Sequence, residues 1–528
     1  MVRPQWPSPD KGVRGSTKPP CRKILGPASG NLRLGVQVLG CAAIGGELPM
    51  GRAAFLCLSL SLLATAVLLF SLNGCSSSSA VVSVPPPLGT IQHIVVIFQE
   101  NRTPDNLFHD QTLIDNGADI ASAGKNSSGN TITLQSTPLG IDYDLSHAHS
   151  AFVDMYASGA MDGADKIPIT CSKNATNCPP PNPQFYYVDN SSATNYEIQP
   201  YFDMAEQYTF GDHMFQTNEG PSFPAHQFIL SGTSAPSAPG NPTSNLFAAE
   251  NPEGGAGCAA PASSTVEMID PSGNESSTMY PCFEHPALTD ELDIAGLSWR
   301  YYTPTAGSIW TAPNAIQHLC GPNATPPNAT SCQSSDWLNK VIIYTTQNPA
   351  PILTDITNNQ LAAVSWVIPS GVNSDHAGST ATTGGPSWVA SIVNAIGTSA
   401  YWSNTVIIVT WDDWGGWYDH VPPPQVIDDG TSWGSGYVYG FRVPLLVISP
   451  YAKAGYISHV THDFGSILNF IEQNFRLPSL GYADAHADAL SDCFNWGQTP
   501  LKFTTINAQH DAAYFLNDRT PPVGPDDD

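Results

Sequence analysis

Two stretches of this chain, IQHIVVIF at 91–98 and NTVIIVTW at 404–411, are apolar nearly from end to end and then stop on polar side chains. Gln99, Glu100 and Asn101 follow the first, and Asp412 and Asp413 follow the second. An unbroken run of Val and Ile without polar alternation suits a strand covered on both faces. Two further runs, AVSWVIP at 363–369 and RVPLLVIS at 442–449, read the same way, and helical stretches are expected at 194–208, 224–231, 387–399 and 463–476. Strands interleaved with helices predict an α/β fold. Open α/β sheets place ligands beyond the carboxyl ends of their strands. If the two acid-ended strands are neighbours, Glu100, Asn101, Asp412 and Asp413 converge there. Oxygen donors of this kind suit Mg²⁺, Ca²⁺ or Mn²⁺, and with histidine added they suit Zn²⁺ or Fe. Either pair alone also suits a helix cap or a turn. Both pairs ending apolar strands favours the site.

The amino-terminal residues follow a different logic. Residues 1–52 hold eight of the 19 Lys and Arg and only two acids, Asp10 and Glu47. Met50 makes a better start than Met1, so 1–49 reads as sequence upstream of the true start. From 50 to 75 the chain shows one Arg, an apolar stretch from Ala53 to Leu72 and then small residues, the layout of a secretory signal. Leu72-Asn73-Gly74-Cys75 resembles a lipoprotein processing box, which predicts export and a lipid anchor on Cys75; a membrane-spanning anchor is the alternative, since about 20 apolar residues cross a bilayer. Residues 76–90 read as a linker, and 91–528 as one large domain with a Ser/Pro/Gly-rich excursion at about 231–281. Beyond residue 52 stand 11 basic and 43 acidic residues, a formal charge of −32, which excludes nucleic acid as a partner. In an oxidising compartment, proximity pairs Cys171 with Cys178, Cys258 with Cys282 and Cys320 with Cys332, leaving Cys493 alone.

A nucleophile is available in QTNEGPSFPAHQF, where Ser222 follows a Gly-Pro turn and precedes Pro224, a residue favoured in the first turn of a helix. A serine there caps the helix, or its hydroxyl meets a metal while helix amides face an incoming phosphate oxygen. His376, in SGVNSDHAGS, lies just past the strand at 363–369 and so at the same sheet edge. His147 and His318 are weaker candidates. Trp388, Trp417 and Tyr418 suit either a cage for a quaternary ammonium group or core packing.

Taken in order, IQHIVVIFQENRTPDNLF, GPSFPAH, SDH, VTWDDWGGWYDHVPPP and GFRVPLLVISPYAK resemble the bacterial phosphoesterase family of phosphatidylcholine-type phospholipases C and related acid phosphatases. The resemblance implies an alkaline-phosphatase-like three-layer α/β/α sandwich with a mostly parallel sheet and metal-assisted hydrolysis of phosphate esters. It implies that Glu100, Asn101, Asp412 and Asp413 hold a divalent metal ion, that Ser222 is the nucleophile, and that His376, His147 and His318 are catalytic. A phospholipid or a small phosphate ester is then the substrate, and phospholipase C type diester cleavage, monoester hydrolysis and non-catalytic ligand binding remain the alternatives. The chain departs from the family at Thr103–Leu107, where Ser-Phe-Asp-His-Tyr is usual, and at Ala225, where Asn is usual.

Overall fold

A computed structural model describes residues 85–190, 196–241, 243–270, 273–378, 384–424 and 439–524. The expected upstream segment, signal and lipidation cysteine lie outside these residues, as does most of the linker.

Among the described residues, nine strands make the main sheet. In chain order they are β1 (His93–Gln99), β2 (Thr209–Phe215), β3 (Trp299–Thr303), β4 (Val341–Ile343), β5 (Val364–Val367), β6 (Thr405–Trp411), β7 (Arg442–Ile448), β8 (Tyr456–Ser458) and β9 (His462–Asp463). Their spatial order is β4-β3-β5-β1-β6-β7-β2-β8, with β9 also pairing to β2. The four apolar runs picked from the sequence are β1, β5, β6 and β7. β1 is central and parallel to both neighbours, with Ile94 opposite Val364 on one side and Val406 on the other. The sheet is parallel except at β7, which runs antiparallel to β6 and to β2. Every residue of β6 and β7 is buried, which accounts for their lack of polar alternation.

Helices cover both faces. They are α1 (Gln199–Gln207), α2 (Ser222–Ser231), α3 (Leu288–Ile294), α4 (Pro351–Thr357), α5 (Gly385–Gly397), α6 (Phe464–Phe475) and α7 (Ala512–Asn517). α1, α4 and α7 pack on α5, whereas α2 packs on α6 and α3. The pleat assigns each group to a face, because successive side chains of a strand point to opposite sides. Phe98 meets the rings of Phe464 on α6 and His226 on α2. The next residue, Gln99, is in register with Trp411, which packs on Tyr201 of α1. The result is the expected three-layer α/β/α sandwich.

The excursion after residue 231 folds into a small antiparallel sheet of Phe247–Ala248, Val266–Ile269 and Ser277–Met279. Cys171–Cys178, Cys258–Cys282 and Cys320–Cys332 are disulfides, and Cys493 is a buried free thiol. Among the described residues no helix is long and apolar enough to cross a membrane.

A buried charge network pins the loops beneath the carboxyl edge of the sheet. Arg442, fully buried at the start of β7, donates to Asp419 at 3.0 Å and to Asp105 at 3.3 Å, and its remaining protons go to the carbonyls of Asp119 and Asp212. His420 bridges Asp105 at 2.8 Å and Asp119 at 3.0 Å. Burial alone lowers the pKa of this imidazole, but its hydrogen bond to Asp105 and the charges of Asp105 and Asp419 outweigh burial and raise it from 6.5 to about 9. A group whose pKa rises on folding stabilises the fold fully below its unfolded value and ceases to do so above its folded value. The stability lost on His420→Gln is therefore expected to be greatest at and just below pH 6.5 and to shrink as pH rises through about 9, as read from urea midpoints of both proteins across that window.

Candidate active site

Because β1 and β6 are parallel and in register to their last residues, the chain delivers Glu100 and Asp412 side by side. The ladder runs one step further, with the Asp412 amide donating to the Gln99 carbonyl at 3.0 Å. The backbone then turns sharply. Asn101 adopts φ +58°, a left-handed conformation that asparagine tolerates better than most residues, and its amide donates to Asp412 Oδ1 at 3.3 Å. On the other strand the Asp413 amide also donates to Asp412 Oδ1, and Asp413 Oδ1 accepts from the Gly415 amide at 2.7 Å. Gly415 has φ +62°, and a Cβ there would lie 2.3 Å from the Asn101 carbonyl oxygen, so only glycine lets the two turns approach so closely.

Ser222 arrives from the third element. It is the first residue of α2, and its hydroxyl donates to Asp413 Oδ2 at 3.2 Å. The Phe223 amide donates to Asn251 Oδ1 at 2.9 Å, so this helix amide is engaged by the excursion and is not turned toward a phosphate. His147 joins through Nε2, 3.2 Å from Asn101 Nδ2 and 3.9 Å from Asp413 Oδ2, with Nδ1 donating to the Leu145 carbonyl. His376 lies beside it, ring centroids 5.8 Å apart, with Nδ1 donating to the Ala377 carbonyl at 2.7 Å.

Seven of the eight candidates thus meet at one sheet edge. His318 is the exception, since its nitrogens are taken up by Glu284 at 2.9 Å and Asp290 at 3.0 Å, away from the acid cluster. The aromatic alternatives resolve to packing: Trp388 packs on Tyr344 and Phe515, Trp417 lies under the Arg102 guanidinium, and Tyr418 stacks on Phe185, all three buried.

Two site residues escaped the sequence reading. His226 lies one helical turn after Ser222, on the same face of α2, with Nε2 3.5 Å from Asp412 Oδ2 and 3.9 Å from Glu100 Oε1. The spacing in SFPAH was its available signal. Trp310 donates its indole N–H to Glu100 Oε2 at 2.9 Å, and nothing local in sequence marks it.

The electrostatics of this edge are unbalanced. Burial, reinforced by Asp412 and Asp413, pushes the Glu100 carboxyl well above the usual range. Burial also raises Asp413, to about 7, against the pull of His147. Asp412 is lowered, because its contacts with His226 and Ser222 outweigh burial. Glu100 Oε1, Asn101 Oδ1, Asp412 Oδ2 and His226 Nε2 are buried without a hydrogen-bond partner. Buried carboxylate oxygens left so are costly. Donor atoms of Glu100, His226 and Asp412 lie within 4.8 Å of one another, so the residues present fit a divalent cation.

A cleft of about 560 Å³ opens beside this edge. Its walls include His147, Pro221 and the acidic side chains of Asp144, Glu250, Glu253 and Glu267.

An α/β/α sandwich with buried acids, an amide and a helix-borne serine at one sheet edge defines a class of proteins built around a cation-ready polar centre. Residues 91–478 match the model of the Phosphoesterase family, and the chain belongs to that family. It is 25% identical over 470 residues to phospholipase C A of Mycobacterium tuberculosis, covering 81% of each chain. With phospholipase C B of the same organism it shares 30% identity over 232 residues, which span 40% of this chain and 44% of that protein. The hemolytic phospholipase C of Pseudomonas aeruginosa is 24% identical over 425 residues, 73% of this chain and 53% of that one.

Gly415→Ala tests how far the site depends on the close approach of the two turns. The variant is expected to lose about 2 kcal/mol or more, from left-handed strain plus overpacking. Gly296→Ala, with φ +69° and nothing within 4 Å of its Cβ, bears the strain alone and is expected to lose less. Guanidinium midpoints of the two variants and wild type check the difference.

Proposed function

We propose that this protein hydrolyses phosphate esters through Ser222, with a divalent cation held by Glu100, Asn101, Asp412 and Asp413 and flanked by His226. The observation that carries the reading is the Ser222 hydroxyl 3.2 Å from Asp413, in a buried cluster whose Glu100 and Asp412 oxygens lack partners. A divalent cation bound there lowers the pKa of a neighbouring hydroxyl and offsets charge developing on phosphoryl oxygens. Ser222 Oγ attacks phosphorus in line, its proton passing to Asp413 Oδ2, which already accepts from it, and its bond to phosphorus forming as the bond to the leaving oxygen breaks. His376, whose Nδ1 is fixed as a donor to a carbonyl, exchanges protons through Nε2 and protonates the leaving oxygen. Water then attacks the phosphoseryl group and restores Ser222. His147 holds the Asn101 side chain in place.

Diester cleavage of the phospholipase C type is favoured over monoester hydrolysis by the cleft. A wall carrying Asp144, Glu250, Glu253 and Glu267 repels a monoester dianion and attracts a diester bearing a cationic headgroup. Export and a lipid anchor on Cys75 belong to the same reading, supported by the apolar run at 53–72 and by three disulfides that suit an oxidising compartment. Such an enzyme meets phospholipid at the cell envelope.

Two chromogenic substrates with one leaving group test this reading: an aryl phosphomonoester and the aryl diester of phosphocholine, each assayed with divalent metal. The diester is expected to turn over faster, and Ser222→Ala to lower kcat by about 10³-fold or more. Glu253→Gln with Glu267→Gln is expected to raise KM for the diester several-fold at unchanged kcat. Selectivity for the monoester would make the protein a phosphatase. Turnover that survives Ser222→Ala would remove the serine mechanism.

A further inference from the structure

The edge of the sheet carries a second constellation that the phosphoester reading leaves unused. β9 opens α6 with His462, and a single helical turn, Ser491–Cys493, ends on the free thiol of Cys493. His462 Nε2 stands 3.5 Å from Asp492 Oδ1 and 3.9 Å from Cys493 Sγ, and that sulfur stands 3.7 Å from the same Asp492 oxygen. His462 and Cys493 are fully buried and Asp492 nearly so.

We infer that His462 Nε2, Asp492 Oδ1 and Cys493 Sγ form a binding site for one zinc-class divalent cation, separate from the cluster around Glu100 and Asp412. Zinc bonds of about 2.0–2.3 Å to N, O and S set the edges of a tetrahedron at about 3.3–3.6 Å. The His462–Asp492 separation of 3.5 Å lies within that range and the two to sulfur, 3.7 and 3.9 Å, just above it, so small side-chain shifts complete three vertices. A water supplies the fourth donor, and the hydrogen bond between His462 Nε2 and Ser458 Oγ at 2.9 Å gives way to the cation. A thiolate with an imidazole selects a borderline or soft cation over Mg²⁺ or Ca²⁺, which take oxygen.

The surroundings orient each donor. His462 Nδ1 is held by Asp488 Oδ1 at 2.7 Å, which leaves Nε2 to face the site, the carboxylate–histidine–metal arrangement common behind zinc. Asp488 Oδ1 is itself fixed by the Ser466 hydroxyl at 2.7 Å. Asp492 divides its oxygens: Oδ2 accepts from the hydroxyls of Ser458 and Tyr456, and Oδ1 remains for the cation. The cation displaces the thiol proton of Cys493. It would join β8, the start of α6 and the 488–493 turn, and so clamp the edge of the sheet. A protonated His462 paired with Asp488 and Asp492, holding no metal, is the competing reading.

Cobalt separates the two, because Co²⁺ bound to thiolate shows a near-ultraviolet charge-transfer band that oxygen and nitrogen ligands do not produce. The full chain with Cys21, Cys41, Cys57 and Cys75 all changed to Ser leaves Cys493 as the one thiol outside the three disulfides, without altering the site. Loaded with Co²⁺, this protein is expected to show the band, complete by two equivalents because the Glu100 cluster also takes up cation, with displacement by Zn²⁺ and loss of the band on adding Cys493→Ser. A saturated cobalt protein lacking the band would overturn the proposal and leave the ion-pair reading. The four-serine protein decides the matter alone if Cys493→Ser fails to fold. The result is independent of whether phosphate esters are hydrolysed.

Discussion

The structure turns on carboxylates buried where two parallel strands end. Glu100 and Asp412 are fully buried, adjacent, and each keeps an oxygen without a hydrogen-bond partner. A few residues further along the same two segments, Asp105 and Asp419 are equally buried, but Arg442 and His420 neutralise them. The contrast separates the two clusters. Where guanidinium and imidazolium complete the charge balance, the acids hold loops together; where the nearest basic group is His226 at 3.5 Å, the balance calls for a cation from outside.

That imbalance accounts for much of the local architecture. Parallel pairing in register brings the two acids together, and the left-handed turn at Asn101 fits only because Gly415 lacks a side chain. The antiparallel strand β7 carries Arg442 to the same end of the sheet, so the compensated cluster underpins the uncompensated one. α2 then brings two polar residues to the edge on one helical face, Ser222 against Asp413 and His226 against Asp412.

Much of this was legible in the chain before folding. Unbroken Val and Ile runs marked β1, β5, β6 and β7, and acids just past two of them marked the edge at which the candidate site lies. Strand β2 was not legible, since TFGDHMF mixes Gly, Asp and His into a strand whose Asp212 is buried accepting from the Asp119 amide and His459. The direction of β7 was hidden as well, because an apolar run fits parallel and antiparallel pairing equally. Trp310 was hidden for a different reason: its role arises from the acid it faces across the layers, and nothing within a few residues of it encodes that, whereas His226 carried only the slight signal of standing one helical turn after Ser222.

The departures from the family pattern at Thr103–Leu107 and Ala225 take on a different meaning once placed. Thr103 caps the short helix that follows, and its hydroxyl donates to the Tyr418 carbonyl. Asp105 anchors His420 and Arg442, and Asn106 accepts from Arg102 while donating to the Tyr186 carbonyl. These residues stabilise the turn beneath the acids. Ala225 is wholly buried in the main core, where a polar amide would need a partner. The substitutions therefore alter the support of the site, whereas Glu100, Asn101, Asp412, Asp413 and Ser222 retain the groups that face it. A support can be rebuilt with other side chains as long as its hydrogen bonds close, and those at Thr103, Asp105 and Asn106 do.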